Sequence, residues 1–143
     1  MEVRDAVEAD AEALAAIADA PTDVMRNLVH DRTVRVAVAE RAETDPNADV
    51  SNEVETEDVL GFVSYDARDG IVYVTQLSGT VDACERLLAE PVRFASNEGM
   101  LVELLAPAAQ DEVRDAAERV GFRKQGTGPM FQGERTIRYR LEP

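Results

Sequence analysis

The feature that most constrains this chain is a β-strand that runs almost directly into a helix, between Ile71 and Leu88. The first half, IVYVTQL, is rich in β-branched and aromatic residues, which favours a strand. The second half spaces Val81, Cys84 and Leu88 as one apolar helix face, with Thr80 as the expected N-cap.

The turn between these two elements, Ser78-Gly79, is the candidate for chemistry. A strand-to-helix turn leaves backbone N–H groups unpaired at the positive end of a helix, where a phosphate binds most readily. A single Gly is much less specific than a Gly-rich fingerprint, and most such turns bind no ligand. Phosphate binding and a purely structural turn both stay open.

The charge composition narrows the class of partner. The chain has 29 Asp and Glu against 15 Lys and Arg, a formal net charge of -14, which disfavours nucleic acid and anionic membranes. Lys124 is the single lysine. Abundant carboxylate with almost no lysine is typical of salt-accumulating halophiles, where molar salt shortens the Debye length to about 3 Å. An ordinary acidic protein from a GC-rich genome is the alternative.

The length and the 45% hydrophobic content predict one domain, residues 1–143, and the features below predict a cytoplasmic protein. The single cysteine, Cys84, excludes an intrachain disulfide and gives no support to a thiolate metal site. Its place on an apolar helix face favours a buried structural thiol over a nucleophile. No stretch is apolar enough to span a bilayer, and the N-terminus has acids where a signal peptide has basic and apolar residues.

Periodicity and capping residues predict the other elements. We expect further strands at residues 2–7, 33–39, 59–65, 100–105, 122–125 and 134–141, and helices at 9–20, 22–30 with Thr22 as cap, and 110–120 with Gly121 in αL conformation. Pro91 should kink or restart the central helix, with Val92, Phe94 and Ala95 still packed on the core. Strands 71–77 and 100–105 can be parallel neighbours because a helix separates them.

Residues 41–57 are polar and acidic and predict a long, partly disordered loop. The segment from Asp45 to Ser51 mimics the opening of a calcium-binding EF-hand. Val50 stands where the turn needs Gly, however, and Thr56 stands where the bidentate Glu belongs, so a solvated loop is expected. The only histidine, His30, suits a surface position near a helix C-terminus better than a catalytic role.

The order of elements resembles the GNAT family of acyl-CoA-dependent N-acyltransferases over nearly the whole chain. Three motifs carry the resemblance: the opening VRDAVEADAEALAAIA, the segment QLSGTV at 76–81, which is similar to the family's Q/R-x-x-G-x-G/A pyrophosphate loop, and AAERVGF at 116–122. The resemblance implies an α+β GNAT fold: a mixed, mostly antiparallel sheet with a central parallel strand pair and helices on both faces. The composition points to a divergent, haloarchaeal-type member.

The resemblance also implies acetyl-CoA as cofactor, bound by backbone N–H groups of the loop, with the thioester entering between the two splayed parallel strands. Carried over to this sequence, Gly79 permits close approach of the pyrophosphate, and an amide near Val74 polarises the thioester carbonyl. The implied cofactor-binding residues are Val74, Gln76, Leu77, Ser78, Gly79, Thr80 and Val81.

The implied activity is transfer of an acetyl group to a primary amine of a small molecule or peptide, by positioning and oxyanion stabilisation. The sequence departs from the family at Val81, where Gly or Ala is usual, and at Ala117, where a thiolate-protonating tyrosine falls. Tyr73 and Glu103 are the candidate catalytic groups, although Glu103 also suits a solvent-side strand position. A non-catalytic GNAT-fold binding or interaction module is the alternative, and a homodimer through the C-terminal strand fits either.

Overall fold

The computed structural model describes residues 1–39, 58–130 and 133–143. In these ranges the strands are β1 (Glu2–Asp5), β2 (Thr33–Val38), β3 (Val59–Arg68), β4 (Ile71–Gly79), β5 (Leu101–Pro107), β6 (Arg123–Thr127) and β7 (Thr136–Leu141). The α-helices are α1 (Ala11–Ala18), α2 (Thr22–Asp31), α3 (Val81–Glu98) and α4 (Asp111–Val120), and a 3-10 helix (Glu8–Asp10) precedes α1.

The strands form one sheet in the order β1-β2-β3-β4-β5-β7-β6. Only β4 and β5 pair in parallel among the described strands, and α3 connects them. Strand β7 lies between β5 and β6, so the last hairpin places its second strand against the centre of the sheet. The predicted mixed, mostly antiparallel sheet with a central parallel pair is confirmed.

Helices pack on both faces of the sheet, as predicted, and divide the core in two. On one face, α3 and α4 bury Cys84, Leu87 and Ala116 against strand residues such as Val72 and Leu104. On the other face, Leu14 of α1 and Met25 of α2 pack against β2 and β3. We name this second side the front face. Burial of these apolar side chains is the main stabilising contribution to the fold.

Several predicted boundaries near the N-terminus were wrong by a few residues. The first strand ends at Asp5 rather than at residue 7, because the carboxylate of Asp10 accepts the Val7 N–H at 2.8 Å and starts a 3-10 helix there. The predicted helix 9–20 stops at Ala18, where Asp19 adopts φ +53°. Thr22 is the first residue of α2, and Pro21 holds the N-cap position.

The central strand–helix unit has a longer strand than predicted and a helix that does not restart at Pro91. Ser78 and Gly79 belong to β4 rather than to a turn, whereas Thr80 is the helix N-cap, as predicted. Helix α3 continues through Pro91, which is buried inside it. Ala95 is buried and Val92 packs against the core, as predicted. Phe94 is 39% exposed and meets the core at its edge, with its ring centre 6.5 Å from that of the buried Tyr65.

The remaining differences concern strand ends. Strand β3 extends to Arg68 and β5 to Pro107, because each pairs along its whole length with a neighbour, whereas β7 begins only at Thr136. Gly121 has φ +111°, as predicted for the end of α4. The acidic loop 41–57, with its EF-hand-like segment, lies outside the described residues. Among the helices that are described, none has both the length and the apolar character needed to cross a bilayer.

Candidate active site

The central parallel strands pair over only part of their length. Their register runs from Ile71 opposite Leu101 to Val74 opposite Leu104. Beyond this point β4 continues to Gly79 paired with β3, and β5 continues to Pro107 paired with β7. The carboxyl-terminal halves of the two strands therefore separate, and a gap opens between them within the described part of the sheet.

A β-bulge in β4 lies where the gap begins. The register with β3 passes from Val74 opposite Tyr65 to Gln76 opposite Ser64, which leaves Thr75 as the extra residue. The Thr75 hydroxyl donates to the carbonyl oxygen of Ser64 at 3.0 Å and lies 2.8 Å from the Ser64 hydroxyl. A bulge bends its strand and increases the local twist, which accounts for the divergence of β4 from β5.

Backbone donors of β4 point into this gap. The Thr80 N–H donates to the Leu60 carbonyl on β3 at 3.3 Å. Because N–H groups alternate in direction along a strand, the Ser78 N–H also faces β3, whereas those of Leu77 and Gly79 face the opposite side. On that side β5 has already diverged, so these two donors line the gap without a strand partner among the described residues.

The first turn of α3 adds donors at the end of the gap. Thr80 caps this helix: its side-chain oxygen accepts the Ala83 N–H at 3.1 Å, and its carbonyl accepts the Cys84 N–H at 2.9 Å. The N–H groups of Val81 and Asp82 precede these and have no intrahelical partner. With the positive end of the helix dipole behind them, they suit an anion.

Charged side chains around this turn have opposite effects on an anionic ligand. The carboxylates of Asp82 and Glu85 lie on the first turns of α3 and oppose an anionic ligand. Arg119 of α4 reaches both of them, at 3.9 Å and 3.8 Å. The backbone donors therefore work beside two carboxylates and one guanidinium, all at the protein surface.

Gly79 has a structural requirement that does not depend on any ligand. Its φ of +140° lies in a region that glycine tolerates and other residues rarely adopt. A Cβ at this position would lie 2.5 Å from the Leu60 carbonyl oxygen and 2.6 Å from the Gly61 Cα. The glycine is thus needed where β3 and β4 approach each other.

The structure brings the two candidate catalytic residues together. Tyr73 and Glu103 are direct register partners on β4 and β5, so they share the front face, just before the gap. The Arg68 guanidinium stacks 5.2 Å from the centre of the Tyr73 ring. Glu103 lies 3.2 Å from each of Arg138 and Arg140 on β7, and its side chain is only 12% exposed. It is therefore mostly shielded rather than solvated.

Other residues that the sequence singled out lie away from this face. Cys84 is buried under α3, as predicted, and burial, followed by the Glu112 carboxylate, raises the pKa of its thiol to about 12. Ala117 is fully buried on the inward face of α4. His30 is exposed on α2, 3.7 Å from Glu8. None of these three residues therefore lines the gap.

Sequence reasoning missed three contributors to the site: Thr75, Arg138 and Arg140. The bulge at Thr75 depends on the register with β3, which has no local sequence signal. The two arginines were visible as alternate residues of the last strand. Their contact with Glu103 required the insertion of β7 next to β5, which the sequence does not show.

Comparisons with known proteins agree on the fold. No protein-family model matches the sequence, and no curated protein sequence matches it. Among solved structures, the chain is similar to ribosomal-protein-alanine N-acetyltransferase from Brucella melitensis, with 17% identity over 100% of both chains and a TM-score of 0.69.

Two further structures show the same likeness. A GNAT-family protein from Desulfovibrio desulfuricans is 19% identical over 99% of this chain and 98% of its own, with a TM-score of 0.65. The protein yncA from Salmonella typhimurium, solved with its cofactor acetyl-CoA, is 15% identical over 99% of this chain and 93% of its own, with a TM-score of 0.68. The chain therefore has the GNAT fold.

Proposed function

We propose that this chain is a GNAT-family enzyme that transfers an acetyl group from acetyl-CoA to a primary amine of a small molecule or peptide. The observation that carries the proposal is the gap between β4 and β5, lined by the N–H groups of Leu77 and Gly79 and closed by the first turn of α3. The charge composition supports a member adapted to high salt.

The residues around the gap fit a long, partly anionic cofactor. Acetyl-CoA supplies an acetyl group activated as a thioester. The N–H groups of Leu77 and Gly79 would bind the polar groups of its extended arm, and those of Val81 and Asp82 would bind the pyrophosphate. The N–H groups of Ser78 and Thr80 face β3, so these two residues would contribute through shape and capping. Val74 and Gln76 flank the bulge, next to the place where the strands separate.

The front face is the side from which the acceptor amine would approach. In the reaction the amine nitrogen bonds to the acyl carbon, the carbon–sulfur bond breaks, the amine loses a proton and the departing thiolate gains one. Glu103 is the candidate to take the proton of the ammonium, because its carboxylate lies on the front face just before the gap. Tyr73, its register partner, is the candidate to donate a proton to the thiolate.

A non-catalytic GNAT-fold module is the second candidate function. It is favoured by the burial of Ala117, where the resemblance places a tyrosine, and by the carboxylate of Asp82 at the proposed pyrophosphate site. An enzyme converts amines in the presence of acetyl-CoA, whereas a module binds the cofactor, or only a partner, without turnover. An assay for free thiol released from acetyl-CoA over a panel of amines separates the two.

Calorimetric titration with acetyl-CoA is the first test. Substitution of Gly79 would confound it, because a side chain there meets the β3 backbone. Val81→Pro removes one proposed donor at the first helical position, where proline fits well. Thr80 already has the extended conformation that a following proline requires, with φ -67° and ψ 160°. Val81→Ala is the matched control that keeps the N–H.

We expect micromolar binding to the natural chain, about 10-fold weaker binding to Val81→Pro, and unchanged or tighter binding to Val81→Ala. Thermal unfolding of both variants shows whether each is folded. Absence of binding to the folded natural chain at millimolar acetyl-CoA would overturn the acetyltransferase proposal. Equal binding by all three proteins would remove the Val81 N–H from the site.

A further inference from the structure

Arginine side chains gather on the front face of the last two strands, in a chain that is otherwise strongly acidic. Residues 123–141 include five basic residues and one acid, against a net charge of -14 for the whole chain. Arg140 is the register partner of both Glu103 on β5 and Arg123 on β6, and Arg138 is the partner of Leu105. Directly paired residues share a face, so all three side chains lie on the front face, and two of them, Arg138 and Arg140, contact the Glu103 carboxylate. We call Arg123, Arg138 and Arg140 the arginine patch.

Glu103 does not use all the hydrogen-bonding capacity of this patch. Arg140 donates one hydrogen bond to Glu103 at 3.2 Å through Nη2. Arg138 lies 3.2 Å from the other oxygen of this carboxylate through Nε. Its Nε and that of Arg140 are shielded from solvent, so the donors left for a further anion are those of the Nη atoms. Each guanidinium offers five N–H donors, and the two side chains remain 42% and 40% exposed. The patch therefore retains charge and donors for a further anion.

The arginine patch borders the place where acetyl transfer is proposed. Leu105, the partner of Arg138, is the first β5 residue beyond the last β4–β5 pair. The chain after β6 folds onto the same region, because Thr136 donates to the Pro129 carbonyl at 2.6 Å and a Cβ on Gly128 would lie 2.8 Å from Leu105 Cδ2. Residues 128–129 thus lie beside Leu105, the register partner of Arg138, at the mouth of the gap.

We propose that the acceptor is a primary amine that carries a carboxylate, and that Arg138, supported by Arg140, binds this carboxylate. The inference rests on the proposed function and specifies its substrate class. A guanidinium fork matches a carboxylate with two parallel hydrogen bonds. The same positive charge repels polyamines and other polycationic acceptors. Glu103, between the two arginines and next to Tyr73, lies where the ammonium end of such an acceptor would be held.

The test compares amines that differ only in the carboxylate. The natural chain is assayed with acetyl-CoA and with the α-amide of glutamate against the α-amide of glutamine, and with short C-terminally amidated peptides that begin with Glu against the same peptides that begin with Gln. We expect kcat/KM to be about 10- to 100-fold higher for the added carboxylate in at least one of the two series. The small amines and the peptides are assayed separately, so the result shows whether the preferred acceptor is a small molecule or a peptide N-terminus. The preference should decrease as KCl is raised.

Variants assign the preference to Arg138. Arg138→Gln should remove it, mainly through KM, whereas Arg138→Lys should restore part of it because the charge is kept. Arg93→Gln is the matched control, since Arg93 is exposed on α3, on the opposite side of the sheet, paired with Glu90. An equal kcat/KM for acceptors with and without the carboxylate, or a preference that survives Arg138→Gln, would overturn the inference.

Acetyl-CoA titrations of the same proteins separate this inference from the proposed function. Absence of acetyl-CoA binding refutes the proposed function itself. If acetyl-CoA binds but no amine is acetylated, binding of the α-amides of N-acetylglutamate and N-acetylglutamine is measured in the presence of coenzyme A. Tighter binding of the N-acetylglutamate α-amide that is lost in Arg138→Gln supports the carboxylate site, and equal binding of the two probes overturns it.

Discussion

Gly61 and Gly79 face each other across β3 and β4 so closely that neither position admits a side chain. A Cβ on Gly61 would lie 2.6 Å from the Ser78 carbonyl oxygen, and one on Gly79 would lie 2.5 Å from that of Leu60. The Gly61 Cβ position is also 3.3 Å from the Ala83 Cβ on α3. This pair of glycines therefore allows the first turn of α3 to pack closely against the sheet at the end of the gap.

Gly79→Ala should destabilise the fold by about 2–4 kcal/mol, because both the positive φ and the backbone clash oppose it. Gly99→Ala is the control: Gly99 has φ +69° but no atom within 4 Å of its Cβ position. That variant should lose only about 1 kcal/mol from backbone strain. Urea unfolding measures both values, and equal losses would show that the contact with β3 is not restrictive.

The Arg4–Asp10 pair should make stability depend on pH in the acid range. Arg4 donates two hydrogen bonds to Asp10 at 2.9 Å, and the Val7 N–H donates a third at 2.8 Å. Burial alone raises the pKa of Asp10, but these hydrogen bonds outweigh it and hold the pKa below 3.8. Because the native pKa is lowered, the stabilisation is present above pH 3.8 and is lost as the pH falls through the native value.

Asp10→Asn should therefore cost about 1–3 kcal/mol in unfolding free energy at pH 7. The difference from the natural chain should shrink as the pH falls below 3.8. Glu12→Gln, which removes a carboxylate at an exposed position on α1, is the control. A loss of stability that stays constant down to about pH 2 would mean that packing, rather than ionisation, explains the effect.

The Cys84 thiol should be unreactive in the native protein. A pKa of about 12 leaves almost no thiolate at pH 8, and the side chain is buried under α3. Iodoacetamide should therefore label Cys84 only after the protein unfolds, at the rate of global or local opening. Mass spectrometry with and without denaturant measures this. Complete labelling of the folded protein within minutes would place the thiol at an accessible surface.

Salt should stabilise the fold if the charge composition reflects adaptation to high ionic strength. With a net charge of -14, self-repulsion opposes the compact state at low salt. Raising KCl from about 0.05 M to 2 M should increase the melting temperature by about 5 °C or more at pH 7.5. The same series close to the isoelectric point of about 4.4 is the control, because little net charge remains to be screened there. An unchanged melting temperature at pH 7.5 favours the alternative of an ordinary acidic protein.

The predictable part of this molecule is the part that local chemistry determines. The start of α3 after Thr80 and the αL residue at Gly121 depend on residues close in sequence, and both were predicted. The end of β4 was not, because Gly79 stays in the strand only through its contact with Gly61, on a strand that follows the acidic loop. Boundaries set by a distant partner have no local signal.

The same distinction applies to the site. The turn into α3 could be identified from residues 76–81, because a capped helix start offers donors wherever it occurs. The opposite wall of the site depends on strand order: Glu103 contacts Arg138 and Arg140 only because β7 inserts between β5 and β6. The alternation of residues in β7 predicted that Arg138 and Arg140 share a face, but it did not predict that both contact Glu103.

Glu103→Gln provides the sharpest test of the two roles placed on the front face. If Glu103 takes the proton of the ammonium, kcat should fall by about 100-fold or more. The same substitution releases Arg138 and Arg140 from their carboxylate, which offsets the lost contact with the ammonium, so KM for a carboxylate-bearing acceptor should change much less than kcat. Arg138→Gln should do the opposite, raising KM with a smaller effect on kcat. Steady-state kinetics over pH 6–9 at fixed ionic strength measure both constants. Two results would contradict a catalytic role for Glu103. One is an unchanged kcat in Glu103→Gln, and the other is a loss in both kcat and KM together with a lower melting temperature. Either would show that Glu103 is only a structural partner of the two arginines.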